Sequence, residues 1–422
     1  MDRRIAVCPM AGVLAVVAIS GSAAWAGNPK QLHRDRQALE GPVVSIVEAQ
    51  NRFAFDLYGR LAADGQDNLF FSPASISMAL AMTYAGAAEN TEAEMAKTLH
   101  LNLPKAQVAE AMKALRQSWS GNGSKQGYRL DVANRLWGQA GYKFLPDFLE
   151  VTRVDYGAEL APLDFKAEAD KARETINAWV AEHTQGKIEN LIPSASVVRD
   201  ARLVLTNAVY FKGEWQEPFN RSRTKEDNFH IAENRQVQAP FMQARQHFRY
   251  GEVGGLQVLE LPYGDGDLSM VILLPKKIGG LGKLEKKLAA DSFQKWTTGL
   301  VSQEVIVFLP KFKTTAQFQL SEALKSLGMR AAFDPSTADF SGMTGSKEGL
   351  FISAVLHKAF VDVNEEGTEA AAATGVVMRP TAIRVRPHQP PVFRADHPFV
   401  FAIQHNPTGA ILFLGRITDP SK

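Results

Sequence analysis

Cysteine is nearly absent. The chain holds one, Cys8, in 422 residues, so no disulfide can form within it and stability must come from packing. The signatures of several enzyme classes are missing as well. There is no G-x-S-x-G elbow, H-E-x-x-H helix, G-x-x-x-x-G-K-[ST] loop or C-x-x-C pair, which removes hydrolase elbows, zincins, P-loop NTPases and dithiol redox sites. The nine histidines lack metal-ligand spacing. S-R-T-K at 222–225 fits S-x-x-K in spacing, but neither S-D-N nor K-T-G accompanies it, so a solvated loop is expected there. D-G-D at 265–267 reads as a hairpin turn, not a cation site. Strong charge of one sign is also lacking: the net is +2, which demands neither nucleic acid nor a charged membrane. No enzyme, metal or cofactor emerges.

What the chain does have is ample apolar material, 45% hydrophobic against 22% charged, enough for a sizeable core. Arg3 and Arg4 precede an apolar run at 11–19 and A-W-A at 24–26. The run falls short of the ~20 residues of a spanning helix, so the pattern reads as a signal peptide, 1–26, cleaved after Ala26. The expectation is a secreted protein, extracellular or periplasmic, with a linker at 27–45 and one domain at 46–420. Cleavage removes Cys8, and an exported chain without cysteine suits a bacterial-type protein.

Helices are expected to dominate the first half. Ala49, Phe53, Leu57 and Leu61 recur at helical spacing. Ser72-Pro73 reads as an N-cap and first-turn proline for a helix over 74–84, and T-E-A-E at 91–94 as a capping box. Lys105, Lys113 and Arg116 could face a polyanion, but Glu110 stands among them and a solvated helix is the simpler reading. Strands follow at 203–211, 256–261, 268–274, 304–308, 351–363, 399–403 and 411–414, rich in β-branched and aromatic residues. Turns at 265–266 and 406–409 join pairs of them. The class is α+β with large, mainly antiparallel sheets.

One segment stands out: V-N-E-E-G-T-E-A-A-A-A-T-G at 363–375. The alanines alone favour helix. As a strand, however, one face carries Thr368, Ala370, Ala372, Thr374 and Val376, and the other Glu369, Ala371, Ala373 and Gly375. The first face holds no charge and could enter a sheet without burying one. Gly367 supplies a hinge.

Motifs in order along 46–420 resemble those of the serpins. They are N-L-F-F-S-P-A-S at 68–75, T-N-A-V-Y-F-K-G-E-W at 206–215, L-P-Y at 261–263 and L-P-K-F at 309–312, then A-D-F-S-G at 338–342 and His357-Lys358. The segment from Val363, F-R-A-D-H-P-F at 393–399 and F-L-G-R at 413–416 complete the series. The resemblance implies the serpin fold with an exposed reactive-centre loop at about 364–392. It also implies a monomeric, metastable inhibitor that a serine protease attacks as a suicide substrate, forming a covalent acyl complex. The hinge would be Glu366, Gly367, Thr368, Glu369, Ala370, Ala371, Ala372, Ala373 and Thr374. A buried shutter cluster would comprise Ser72, Ser75, Asn207 and His357, with Trp215 at the breach where the loop first enters. Counting from Gly367 in the family pattern puts the reactive bond at Thr381–Ala382, which suits an elastase-like protease. The loop is longer than usual, and Arg384–Val385 is the alternative, suiting a trypsin-like one. A non-inhibitory serpin acting as carrier or chaperone is the other reading; the small, uncharged hinge face argues against it.

Overall fold

A computed structural model of the chain describes residues 41–63, 65, 67–119, 127–194, 200–347, 349–368 and 389–422. The helices are α1 (Pro42–Ala63), α2 (Pro73–Tyr84), α3 (Glu89–Thr98), α4 (Lys105–Trp119), α5 (Pro146–Val154), α6 (Ala169–His183), α7 (Leu281–Glu285), α8 (Ala290–Thr298), α9 (Ser321–Ser326) and α10 (Ser341–Thr344). The strands are β1 (Leu69–Phe71), β2 (Tyr128–Gln139), β3 (Leu160–Leu163), β4 (Leu203–Glu214), β5 (Lys225–Ala232), β6 (Arg235–Val253), β7 (Leu256–Tyr263) and β8 (Leu268–Pro275). They continue with β9 (Val301–Pro310), β10 (Phe312–Gln319), β11 (Ile352–Asn364), β12 (Gly367–Thr368), β13 (Val392–Arg394), β14 (Phe399–His405) and β15 (Ala410–Ile417).

Two sheets result. The nine-stranded one runs β1-β15-β14-β8-β7-β6-β9-β13, with β5 also on β6; the six-stranded one runs β10-β11-β12-β4-β2-β3. Most pairs are antiparallel, as the α+β reading expects. Three are not: β13 with β9, β2 with β3, and β11 with β4. The last of these governs the site. All twelve residues of α2 are buried, which is why this helix shows no amphipathic stripe; it packs against β2, β4 and β15. Across the other face of the six-stranded sheet, α6 sets Ala172, Ile176 and Val180 against Ala133, Trp137, Val204, Ala208 and Ala354.

Sequence and structure part at several places. Thr91 is not a cap: α3 begins at Glu89 after Ala88, and the Thr91 hydroxyl instead accepts from the Asp339 amide at 2.9 Å. Glu94 likewise turns outward, accepting from the amides of Arg330 (2.7 Å) and Ala331 (2.6 Å). A distant chain segment has taken both halves of the expected box. In the helical half, β2 escapes notice because the alternation of Tyr128, Leu130 and Val132 with Arg129 and Asp131 is broken at Asn134, a polar residue on the apolar phase.

The sheets are joined by an aromatic column. Phe413 of β15 stacks on Phe70 with ring centres 5.2 Å apart, and lies 5.6 Å from Phe211 of β4. All three are fully buried. Phe413→Ala removes a ring from both contacts at once and is expected to lower stability by ~3–5 kcal/mol. Urea unfolding checks this: the midpoint should fall while the slope is unchanged.

Candidate functional site

The seam between β4 and β11 is closed along most of its length and parted at one end. From Leu203↔Ile352 to Tyr210↔Phe360 the two strands pair directly and in parallel. Beyond that they diverge, and β12 fills the gap. Thr368 pairs with Val363 on one side and Gly213 on the other, while Gly367 pairs with Asn364 and Glu214. Two residues of a new central strand are already in place, antiparallel to both neighbours. This corrects the expectation that Glu366, Gly367 and Thr368 belong to an exposed loop, for all three are buried.

Position 367 admits only glycine. A Cβ there would stand 1.9 Å from the Gly213 carbonyl oxygen, and φ is +152°. Thr368 is wholly buried, its hydroxyl 2.9 Å from the Tyr263 hydroxyl. Burial raises the Tyr263 pKa, the Thr368 hydroxyl opposing it only in part, so Tyr263 stays a neutral partner. Trp215 stacks on the same Tyr263 ring at 4.4 Å, its indole N–H donates to the Asn364 carbonyl at 2.9 Å, and its amide to the Glu366 carbonyl at 2.8 Å. Trp215 thus flanks β12 at the parted end of the seam.

Two carboxylates enter with the wedge, each partnered. Glu365 meets the Lys311 ammonium at 2.9 Å and accepts from the Thr224 hydroxyl at 2.8 Å. Burial alone would raise its pKa, but Lys311 and Thr224 together hold it below the usual carboxylate range. Glu366 pairs with Arg221. Lys311 lies in L-P-K-F and Tyr263 in L-P-Y, so the motifs were visible in the sequence but not these contacts. Nothing there pointed to Thr224, Arg221 or Asn364.

Further down, the structure brings Ser72, Ser75, Asn207 and His357 together. Asn134, Asn207 and His357 occupy one rung across β2, β4 and β11. The Ser72 amide donates to His357 Nε2 at 3.1 Å, so the ring proton sits on Nδ1 and is given to Asn207 Oδ1. The Asn207 amide donates to Ser75 Oγ and Asn134 Oδ1. Ser75 Oγ also donates to Asn134 Oδ1 at 3.0 Å, and Ser72 Oγ to the Leu412 carbonyl at 2.7 Å. Ser72 Oγ further caps α2 by accepting from the Ser75 amide at 3.2 Å. Asn134 is the member that sequence reasoning missed, because β2 itself went unseen.

Other candidates are tied up elsewhere. Lys105 pairs with Glu92 at 2.8 Å, Lys113 with Asp155 at 3.1 Å, and the Arg116 guanidinium packs beside Gly157. Helix α4 keeps the solvated polar face expected, Glu110 exposed on it, with these bases half-buried and engaged. Ser222 lies in a 3₁₀ turn and donates to Asn220. Among the described residues no group of three His, Cys, Asp or Glu could hold a metal, and no helix is long and apolar enough to cross a membrane. Glu369, Ala370, Ala371, Ala372, Ala373, Thr374, Thr381, Ala382, Arg384 and Val385 lie outside the described residues.

Comparison with known proteins gives a consistent result. The family model "Serpin (serine protease inhibitor)" matches residues 48–420. The chain is 43% identical over 386 residues to the human leukocyte elastase inhibitor, covering 89% of this chain and 99% of the relative. It is 45% identical over 384 residues to the bovine protein of that name, with the same coverage. The crystal structure of a highly specific serpin from the insect Tenebrio molitor superposes with a TM-score of 0.79 at 33% identity, covering 89% of this chain and 98% of that one.

The hydrogen-bonded rung has a measurable signature. Burial lowers the His357 pKa to about 3 from 6.5, the bond to Asn207 opposing only weakly. Above pH 6.5 both folded and unfolded chains are neutral there. Between 6.5 and 3 the unfolded chain binds a proton that the fold excludes, so stability declines as pH falls and levels off below about 3. His405, lowered by burial to about 4, adds to the same slope. His357→Gln should be less stable at pH 7 by roughly 1–3 kcal/mol, yet shallower in its decline between pH 6.5 and 3. Denaturant midpoints measured across that range decide it; an unchanged slope in the variant would rule His357 out as a source.

Proposed function

The chain belongs to the serpin family of serine protease inhibitors, and on that premise we propose that it traps its target covalently by completing the strand that β12 begins. The protease serine attacks the carbonyl carbon of the reactive bond. Its C–N bond breaks, the amine leaves with a proton, and the loop remains esterified to the enzyme. The freed segment then adds to the sheet, serpin loop insertion being a recognised case of strand addition. The tethered protease is displaced and distorted before water can release it.

The observation that carries this reading is the wedge at Gly367–Thr368. Its two ladders agree on where a longer strand would go: continuing the register on either side sets Ala371 opposite both Tyr210 and Phe360. Continued further, Thr374 opposes both Asn207 and His357. A threonine hydroxyl can accept from His357 Nδ1 and donate to Asn207 Oδ1, so the strand could part the rung without stranding either group. Ala370, Ala372 and Val376 share that face and bring no charge. Ser72, Ser75, Asn207 and His357 act, in this reading, as the lock on the seam, and Trp215 as the frame of its entrance. The carrier or chaperone alternative loses ground for the same reason, since nothing on that face obstructs insertion.

The partner is a serine protease, and we assign the reactive bond to Thr381–Ala382, with Arg384–Val385 as the rival. Pro380 followed by a small β-branched residue suits an elastase-like pocket, in keeping with relatives that carry the name leukocyte elastase inhibitor. The protein is proposed to act as a monomer. Export, extracellular or periplasmic, rests on the leader pattern at 1–26 and a mature chain without cysteine. A bacterial-type origin rests on the same two features alone; the relatives named above are mammalian and insect proteins.

Mixing with an elastase-like protease should give an SDS-stable band of summed mass and release a peptide beginning at Ala382. Mass spectrometry reads the terminus: a peptide beginning at Val385 moves the target to trypsin-like enzymes, and no stable band removes the trapping mechanism. Thr368→Arg should convert inhibitor to substrate. An arginine cannot replace a threonine that is wholly buried against Tyr263 without several kcal/mol of desolvation. The wedge is expelled, insertion slows and the acyl-enzyme hydrolyses. Undiminished complex yield from this variant would contradict the role given to the wedge.

A further inference from the structure

Charge is unevenly spread along this nearly neutral chain. Between 276 and 295 stand Lys276, Lys277, Lys283, Lys286, Lys287 and Lys295, against only Glu285 and Asp291. Glu285 is spent inward, accepting from the Tyr58 hydroxyl at 2.9 Å and pairing at 2.8 Å with the buried Arg416 guanidinium. Lys276 is paired with Glu252. Glu233, at the β5–β6 turn, comes up beside Gly279. Lys277, Lys283, Lys286 and Lys287 are exposed and make no side-chain bond among the described residues. Lys283 lies on α7, Lys286 caps its C-terminus and Lys287 follows just beyond, all exposed.

The position of this surface matters as much as its sign. Pro275, the residue before Lys276, accepts from His397 Nε2 at 2.6 Å. The Lys276 amide donates to the Gly255 carbonyl at 2.8 Å. Two residues along from Gly255, Gln257 donates to the Val392 carbonyl at 3.0 Å. Val392 opens β13, where the chain rejoins the sheet after 369–388. The lysines therefore begin at the foot of the segment that carries the reactive bond.

We propose that Lys277, Lys283, Lys286 and Lys287 form an accessory docking surface for the protease held by the loop, selecting enzymes with an acidic face beside the substrate cleft. This rests on the inhibitory reading above. Lysine ammonium groups are hydrated point charges on mobile stems. Such groups steer an approaching partner over long range better than they build a dry contact. No aromatic or arginine is interleaved between 276 and 287, so the stacking platform that a nucleic acid uses is lacking. A protease is brought to this surface by the loop itself, with no third molecule required.

The test uses the intact protein and a variant carrying Lys277→Gln, Lys283→Gln, Lys286→Gln and Lys287→Gln. Association rates are measured with two proteases that cleave the same loop bond, one acidic and one basic in surface charge. At about 0.02 M salt the variant should bind the acidic enzyme roughly tenfold more slowly, and the gap should close by about 0.5 M. The basic enzyme should show no loss, and the variant's thermal midpoint and final complex yield should match those of the parent. Arginine at all four positions should restore the rate. An unaltered low-salt rate with the acidic enzyme, covalent complex still forming, overturns this proposal and leaves the inhibitory reading standing. Absence of covalent complex from the parent protein overturns both. Lysine-dependent acceleration by inorganic polyphosphate, with the acidic enzyme indifferent to the lysines, overturns it in favour of a polyanion site.

Discussion

The direct parallel pairing of β4 with β11 is the constraint from which the rest of the six-stranded sheet follows. Parallel neighbours need a long crossover, and here it runs from Glu214 to Ile352 through much of the nine-stranded sheet. The two strands are thus connected only remotely, so nothing local in the sequence obliges them to touch. Antiparallel β12 already parts them at one end while the ladder holds at Phe360↔Tyr210. The buried rung of Asn134, Asn207 and His357 lies three positions further along, and its bonds run across the seam and down to α2. Breaking the seam there means opening a network in which every described member is buried, and a half-opened buried network is costly.

The acids at the mouth of the seam fit the same picture. Two adjacent carboxylates, 9% exposed at most, would ordinarily repel and be poorly solvated. Each has its own cation, Lys311 from the end of β9 and Arg221 from the turn before β5, so the pair ties the foot of the hinge to two different elements. Position 369 is the last charged residue before the small run, and the continued register sets it opposite Lys212 and Asp362. One attracts and the other repels, which on the proposed mechanism leaves little net electrostatic barrier to the first step of insertion.

Much of this was legible in the sequence, and the omissions have common causes. Ser72 declared itself by its place before Pro73, and the small face of the hinge by its alternation. Asn134 did not, because it is itself the polar residue that breaks the alternation of β2, a strand whose partners are supplied by α6 and β4. The capping box at 91–94 misled because Thr91 and Glu94 satisfy amides of a segment more than two hundred residues away. Local patterns report local bonds; both kinds of error arise where a distant segment supplies the partner. The buried hinge at Gly367–Thr368 belongs to the same class, since only the divergence of β4 from β11 makes room for it.

The closed seam is also the poorer of the two sheets available to this chain. As it stands, eight paired positions of β11 and β4 share one parallel ladder. Parallel bonds are slanted and slightly weaker per residue than antiparallel ones. A strand placed between them would run antiparallel to both, as β12 already does, so each rung lost is replaced by two of the better kind. The backbone of the added segment gains partners on both edges, and its small side chains add apolar burial along one face. Against this stands only the order imposed on a segment tethered at both ends. While both ends are attached, the chain from Thr368 to Gln389 must still return to β13 at Val392, and a strand reaching down the seam cannot do so. Cutting the loop removes that condition at a stroke. On the proposed mechanism, the barrier that keeps the seam closed is therefore one of connection, with the buried rung setting how fast it yields once the connection is gone.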